Sequence, residues 1–179
     1  MTGTPNLGPE WSLRLARAED AQDYAEVEAD AACLFDTDPS LADMAMPPPR
    51  SAEQYRAIIA QRQSLTATCD STVIGFVAAR PAGRQLHLHE LSVARAFQRR
   101  GIGATLLRAL QIDARNAGFA AITLHTFRDI AWNAPFYADH GFVMVDDLAD
   151  HPRLASGLEA AVAAGLPRER RCAMICPLD

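Results

Sequence analysis

Residues 86–110 read "LHLHELSVARAFQRRGIGATLLRAL". The first eight, "LHLHELSV" (86–93), alternate apolar and polar residues as a half-buried strand does. The stretch from Gly101 onward carries Leu106, Leu107, Leu110 and Ile112 at helical spacing. Between them lie Gln98, Arg99, Arg100, Gly101, Ile102, Gly103 and Ala104. A strand that turns into a helix through glycines leaves several backbone N–H groups aimed at one place, where the helix dipole adds partial positive charge. Gly101 and Gly103 clear side chains from that spot and Arg99 and Arg100 supply full charges, so phosphate or pyrophosphate is the natural guest. Turn geometry and solvated arginines read the same way, and the joint alone does not decide between them.

Working outward, "WSLRLARA" (11–18) reads as a strand and "EDAQDYAEVEADAACLF" (19–35) as a helix through Tyr24, Val27 and Leu34. Residues 36–50 hold four prolines and form a loop. Ser51 with Gln54 three residues on opens a second helix as a capping box. "SLTATCD" (64–70), "TVIGFVAARP" (72–81) and "QLHLHELSVA" (85–94) form an antiparallel meander. After the helix from Gly101 to Asn116 come a strand (120–127), a helix-like segment (131–140), a strand (142–147), an Ala- and Leu-rich helical piece (148–168) and a last strand (170–178). Meander first and crossover later predicts a mixed sheet with helices on its faces, an α+β three-layer sandwich.

The 179 residues, 49% hydrophobic and 22% charged, suit one domain over residues 11–179 behind a loose tail at 1–10. The N-terminus lacks a signal-peptide pattern and no apolar run approaches the roughly 18 residues of a membrane span, so a cytoplasmic protein without membrane partners is expected. The net charge of −5 disfavours generic nucleic-acid binding, although Arg95, Arg99 and Arg100 concentrate positive charge locally. The four cysteines, Cys33, Cys69, Cys172 and Cys176, form no C-x-x-C pair; no metal site is expected, and Cys172 and Cys176 read as buried strand residues. The joint is neither a Rossmann fingerprint, since position 106 is leucine, nor a P-loop, since Ala104 and Thr105 follow Gly103.

With Val93, the run Gln98-Arg99-Arg100-Gly101-Ile102-Gly103 and the later stretch Asn133…Phe136-Tyr137-Ala138-Asp139-His140-Gly141-Phe142, the chain resembles the GCN5-related N-acetyltransferases (GNAT). The two motifs correspond to that family's Q/R-x-x-G-x-G/A pyrophosphate loop and N-x-x-x-Y-x-x-x-G-F stretch, clearest over residues 72–146. The resemblance implies a three-layer α/β/α fold whose central sheet splays where the strand around Glu90 to Val93 bulges away from the strand at 120–127. It implies acetyl-CoA as co-substrate: Leu91, Ser92 and Val93 along the pantetheine arm, residues 98–104 on the pyrophosphate, Asn133 on the pantetheine and Phe136 packed beside it. An N-cap asparagine and a core phenylalanine remain the ordinary readings of those last two.

Transfer to an amine needs a base, an oxyanion donor and an acid for the leaving thiolate. Val93 N–H is the candidate donor, and Glu90, at the end of its strand, the first candidate base. His125 on the paired strand is the alternative base, and strict alternation would turn His87 and His89 away from Glu90. The resemblance places Tyr137 as the acid, against an ordinary aromatic core residue. These readings converge on direct N-acetyl transfer to an amine acceptor in a ternary complex, with a homodimer left open. A non-catalytic CoA-binding module and a mononucleotide-binding protein are the rival classes. The acceptor loops are expected at 36–50, 128–132 and 148–168, where Asp36, Asp38 and Asp43 offer negative charge.

Overall fold

Ser51 opens its helix as its sequence requires: its Oγ accepts from Gln54 N (3.2 Å) while Gln54 Oε1 accepts from Ser51 N (2.8 Å). A computed structural model describes residues 10–41, 44 and 46–178; the expected tail, apart from Glu10, and Asp43 lie outside the described residues. The elements run β1 (Trp11–Leu15), α1 (Asp20–Ala32), α2 (Ala52–Ile59), β2 (Leu65–Cys69), β3 (Thr72–Ala82), β4 (Gln85–Val93), α3 (Ile102–Asn116), β5 (Ala121–Phe127), α4 (Ala134–Ala138), β6 (Val143–Met144), α5 (Pro152–Ala163) and β7 (Arg171–Pro177). None of the described helices is long and apolar enough to cross a membrane.

The strands form one mixed sheet in the order β1-β2-β3-β4-β5-β7-β6. Only β4 and β5 run parallel, because α3 carries the chain across between them. Residues 73–79 of β3 are buried on both faces, so "VIGFVAA" reads as a continuous apolar run. On one face Ile74, Val77 and Ala79 pack with Leu106, Leu107 and Leu110 of α3 and Tyr137 of α4. On the other, Val73, Phe76 and Ala78 meet Tyr24 and Val27 of α1 and Tyr55, Ile58 and Ile59 of α2, and Leu154 and Leu158 of α5 cover Ala173 of β7. This is the three-layer arrangement expected from the sequence.

Two local expectations are corrected. Ile112 is 55% exposed, because two residues beyond Leu110 it lies about 200° round the helix from the buried stripe. The strand expected over 142–147 shortens to Val143–Met144, since β7 inserts between β5 and β6 and leaves β6 a short edge. A buried ion pair that the sequence reading did not single out ties α1 to β1 and β2. Asp20, 2% exposed, accepts from both Arg14 Nη atoms (2.7 Å each), Arg17 N (2.8 Å) and Thr66 Oγ1 (2.9 Å).

The centre of the sheet opens. β4 and β5 pair only at Gln85–His87 with Ala121–Thr123, although β3 stays on β4 as far as Val93 and β7 stays on β5 as far as Phe127. The register of β3 on β4 slips between Ala78 and Ala79, so that His89 and Glu90 together oppose one residue, Ala78. Such a bulge increases the local twist and turns the strand away from its neighbour. It also changes which way the side chains face. Leu86 and Leu88 belong to the α3-side core, and Leu91 and Val93 pack against it. The bulge therefore puts Glu90 on the same face as His87 and His89, not the opposite one that strict alternation gives.

Candidate active site

The anion loop is built from β4 onward. After a single 3-10 turn, Arg95–Phe97, Gln98 Nε2 donates to Val93 O (2.9 Å) and folds the loop back on the strand end. Arg99 and Gly101 both adopt positive φ, +61° and +79°, and at Gly101 this left-handed residue caps α3, the position where glycine costs least. Thr105 N makes the first bond of the helix, to Gly101 O (3.0 Å), so the amides of Ile102, Gly103 and Ala104 project from its start. The Ile102 side chain itself is core, 1% exposed. Arg99 and Arg100 are exposed, Arg100 lying over the Phe97 ring at 5.2 Å. Arg95 does not join them: its Nε and backbone N bind Asp30 (2.9 and 2.7 Å). A Cβ on Gly103 would stand 3.8 Å from Val93 and 4.0 Å from Phe136, which brings the two sequence motifs side by side.

Between the unpaired halves of β4 and β5, Ala94 N donates to Ile74 O on β3 (2.9 Å). Successive backbone groups of a strand point to opposite edges, so the N–H groups of Val93 and Leu91 face the gap while Ser92 faces β3. Asn133, at the start of α4, does not cap the helix with its side chain. Its Oδ1 accepts from Thr126 Oγ1 (2.6 Å), which leaves the amide NH2 to the gap. Tyr137 is 9% exposed, held edge-on between Phe136 and Phe142 (5.3 and 5.5 Å between centroids). Its hydroxyl has no protein hydrogen-bond partner among the described residues. Burial, and then the nearby negative charge of Glu90, raise its pKa and keep it protonated.

The gap widens into a cavity of about 770 Å³ whose lining includes Glu90, His125, Asn133, Tyr137, Trp132 and Arg171. Glu90 accepts from Ser92 Oγ (2.8 Å) and from Arg50 Nη1 (3.3 Å). Arg50 also pairs with Glu28 (3.5 Å), which in turn accepts from Tyr55 OH (2.6 Å). Burial, followed by the charge of Glu28, raises the Glu90 carboxyl above its usual range, with Arg50 and Ser92 acting the other way. A carboxylate of raised proton affinity is a competent base near neutral pH.

The histidines are held otherwise. Burial lowers His87 to about 2 and His89 to about 4, so both are neutral. His87 Nδ1 lies 3.0 Å from Thr123 Oγ1 and from Arg153 Nη1. His125 Nε2 donates to Leu154 O of α5 (2.9 Å), and burial lowers its pKa too. Gly157 lies directly against the His125 ring: a Cβ there would fall 2.7 Å from Nε2. Although His87, His89 and His125 cluster, no group of three His, Cys, Asp or Glu among the described residues could hold a metal ion.

Of the residues singled out from the sequence, Glu90, Leu91, Ser92, Val93, Gln98, His125, Asn133 and Tyr137 all line the cavity. Arg99 to Ala104 and Phe136 are not in its lining; Gly103 lies beside Phe136 and the lining residue Val93. Sequence reasoning missed Glu28, Arg50, Tyr55, Arg153 and Arg171. The available signals were slight: Arg50 follows three prolines and precedes the capping box, and Glu28 lies one turn beyond Tyr24.

Residues 32–142 match the acetyltransferase (GNAT) family. The chain belongs to that family. Most of the chain also superposes on solved structures of low sequence identity. PaiA N-acetyltransferase from Thermoplasma acidophilum, in complex with coenzyme A, has TM-score 0.69 and 18% identity, covering 94% of this chain and 99% of that one. Rv2747 from Mycobacterium tuberculosis, also solved with CoA, has TM-score 0.69 and 16% identity over 94% and 99%. The ribosomal-protein-S18-alanine N-acetyltransferase from Escherichia coli has TM-score 0.68 and 16% identity over 95% of each chain. The splayed GNAT sheet is thus the fold of this acyltransferase.

Proposed function

We propose that this GNAT protein transfers the acetyl group of acetyl-CoA directly to a primary amine, of a small molecule or of a peptide, within a ternary complex. Support comes from the unpaired gap between β4 and β5. It opens on one side to the amides of residues 102–104 with Arg99 and Arg100, and on the other to Glu90. The phosphates fit the first mouth, and the pantetheine arm fits the free edge of Leu91 and Val93 beside Asn133 and Phe136, as an added strand would.

In this reading Val93 N–H donates to the thioester oxygen, where negative charge grows during transfer. Glu90, oriented by Ser92, accepts the proton that the amine must lose as the C–N bond forms. Tyr137 donates a proton to the sulfur as the C–S bond breaks, and the products are an amide and free CoA thiol. His125 we assign to holding α5, since its Nε2 is committed to Leu154. Among the described residues no cysteine lines the cavity, and burial pushes the Cys172 and Cys176 thiols up, both of which favour direct transfer over an acyl-enzyme.

Thermal-shift titration with acetyl-CoA, CoA, ATP and NAD tests the ligand, and initial rates against a panel of amines test the transfer. Stabilisation by acetyl-CoA and CoA with intersecting double-reciprocal plots is expected. Stabilisation by ATP alone would make it a mononucleotide-binding protein. CoA binding without transfer to any amine would make it a non-catalytic module.

A further inference from the structure

Arg171 opens β7 opposite Phe127, the last residue of β5, and its guanidinium carbon lies 4.6 Å from the Phe127 ring centroid. Phe127 shares its strand face with His125, so Arg171 lines the cavity on the side of Glu90 and α5, away from α3 and its anion loop. Among the described residues its side chain makes no hydrogen bond and no ion pair, and its Nε is buried without a partner. Arg14, Arg50, Arg95 and Arg170 all pair with carboxylates. Arg153, a further arginine of the cavity lining, is exposed and is satisfied by Gln85, Thr123 and His87. A buried donor without an acceptor is costly until one arrives.

The surroundings say what else the guest carries. Phe35, Phe127 and Trp132 form an aromatic wall, with centroids 5.9 and 6.1 Å apart. Glu90, Tyr137 and Arg171 line the same cavity. Resting on the acetyltransferase reading above, we infer that the acceptor is an amine bearing its own carboxylate and an apolar side chain, the chemistry of a large apolar α-amino acid. Glu90 receives the amine, Arg171 binds the carboxylate and the aromatic wall holds the side chain. The planar guanidinium fork matches a carboxylate better than any other common anion-binding side chain.

The test pairs leucine, methionine, phenylalanine and tryptophan with the amines that lack the carboxylate: isopentylamine, 3-(methylthio)propylamine, 2-phenylethylamine and tryptamine. CoA release by the full chain is measured for each, with acetyl-CoA binding followed by calorimetry. The amino acid of at least one pair should show a kcat/KM about ten-fold or more above its amine, the scale of a charge-assisted contact. Arg171→Gln should erase that preference through the amino acid's KM, with the acetyl-CoA affinity kept. Amines used as well as amino acids by the wild type, or no amino acid used although acetyl-CoA binds, overturn the inference. So does a preference that survives in Arg171→Gln. The wild-type comparison stands even if that variant misfolds. Absence of acetyl-CoA binding would bring down the acetyltransferase reading itself, a distinct result.

Discussion

Arg50 Nη1 stands 3.3 Å from Glu90 Oε2, forty residues along the chain, and shares its charge with Glu28. Two carboxylates thus face one guanidinium at the edge of the cavity. Arg50 restrains the proton affinity that burial and Glu28 raise at Glu90, so in the proposed mechanism the pair sets the pH at which Glu90 can act as base.

Activity should therefore fall on acidification as Glu90 gains a proton, at a pH above the ordinary glutamate value of about 4.3. Glu90→Gln should remove that limb and slow turnover at neutral pH by about 10²-fold or more, with partial recovery as rising pH frees the amine. Arg50→Met should shift the limb toward higher pH, because the two carboxylates lose their shared cation. Rate profiles of the three proteins check this. An unchanged limb in Glu90→Gln would take the base away from that residue.

Tyr137→Phe removes a hydroxyl that has no protein partner among the described residues, so stability should change little. If that hydroxyl protonates the leaving thiolate, kcat should drop by about 10²-fold while acetyl-CoA affinity holds, since the contact matters chiefly in the transition state. Wild-type kcat in the variant, with chemistry shown to limit the rate, would return Tyr137 to the core.

Arg99→Ala combined with Arg100→Ala should leave folding intact, both side chains being exposed, and should weaken acetyl-CoA binding about ten-fold or more. The wild-type affinity should fall with added salt and the variant's should fall less. Calorimetry at two ionic strengths decides it; equal affinities would move the phosphates elsewhere.

Gly157→Ala in a helix interior would ordinarily stabilise by up to about 1 kcal/mol. Here the added methyl meets the His125 ring, so the substitution should destabilise instead. Introduced into His125→Ala, the same change should be neutral or stabilising. Denaturant unfolding of the cycle measures the coupling, and additive effects would show that the ring moves aside freely.

Burial works against the Asp20 carboxylate, but Arg14, Arg17 N–H and Thr66 outweigh it and hold its pKa below the aspartate norm. A depressed folded-state pKa gives stability that is full above the unfolded value of about 3.9 and lost as pH falls through the lower folded value. Asp20→Asn should cost roughly 3 kcal/mol at neutral pH and flatten the acid side of the stability curve. Parallel acid limbs in the two proteins would contradict it.

The capping box at Ser51, the glycine turn at 101, the strand over 72–81 and the order of strands and helices along the chain were all legible in the sequence, because each is set by residues within a few positions of one another. So were the two motifs that carry the family. Where the helix face was read one residue too far, at Ile112, the error was one of angle on a known helix.

The sequence by itself determined the order of the elements along the chain, the glycine joint between β4 and α3, and the two motifs that carry the family. Only the tertiary structure decided that β7 enters between β5 and β6, that the bulge at His89 and Glu90 turns Glu90 toward the histidine face, and that Arg50 joins Glu28 to Glu90. It alone also leaves Arg171 against Phe127 without a polar partner among the described residues. Strand order depends on which edges meet after the helices have packed, and a bulge follows from a register that two strands settle together. A charge finds or misses its partner across forty or more residues of chain, a relation that no local pattern encodes.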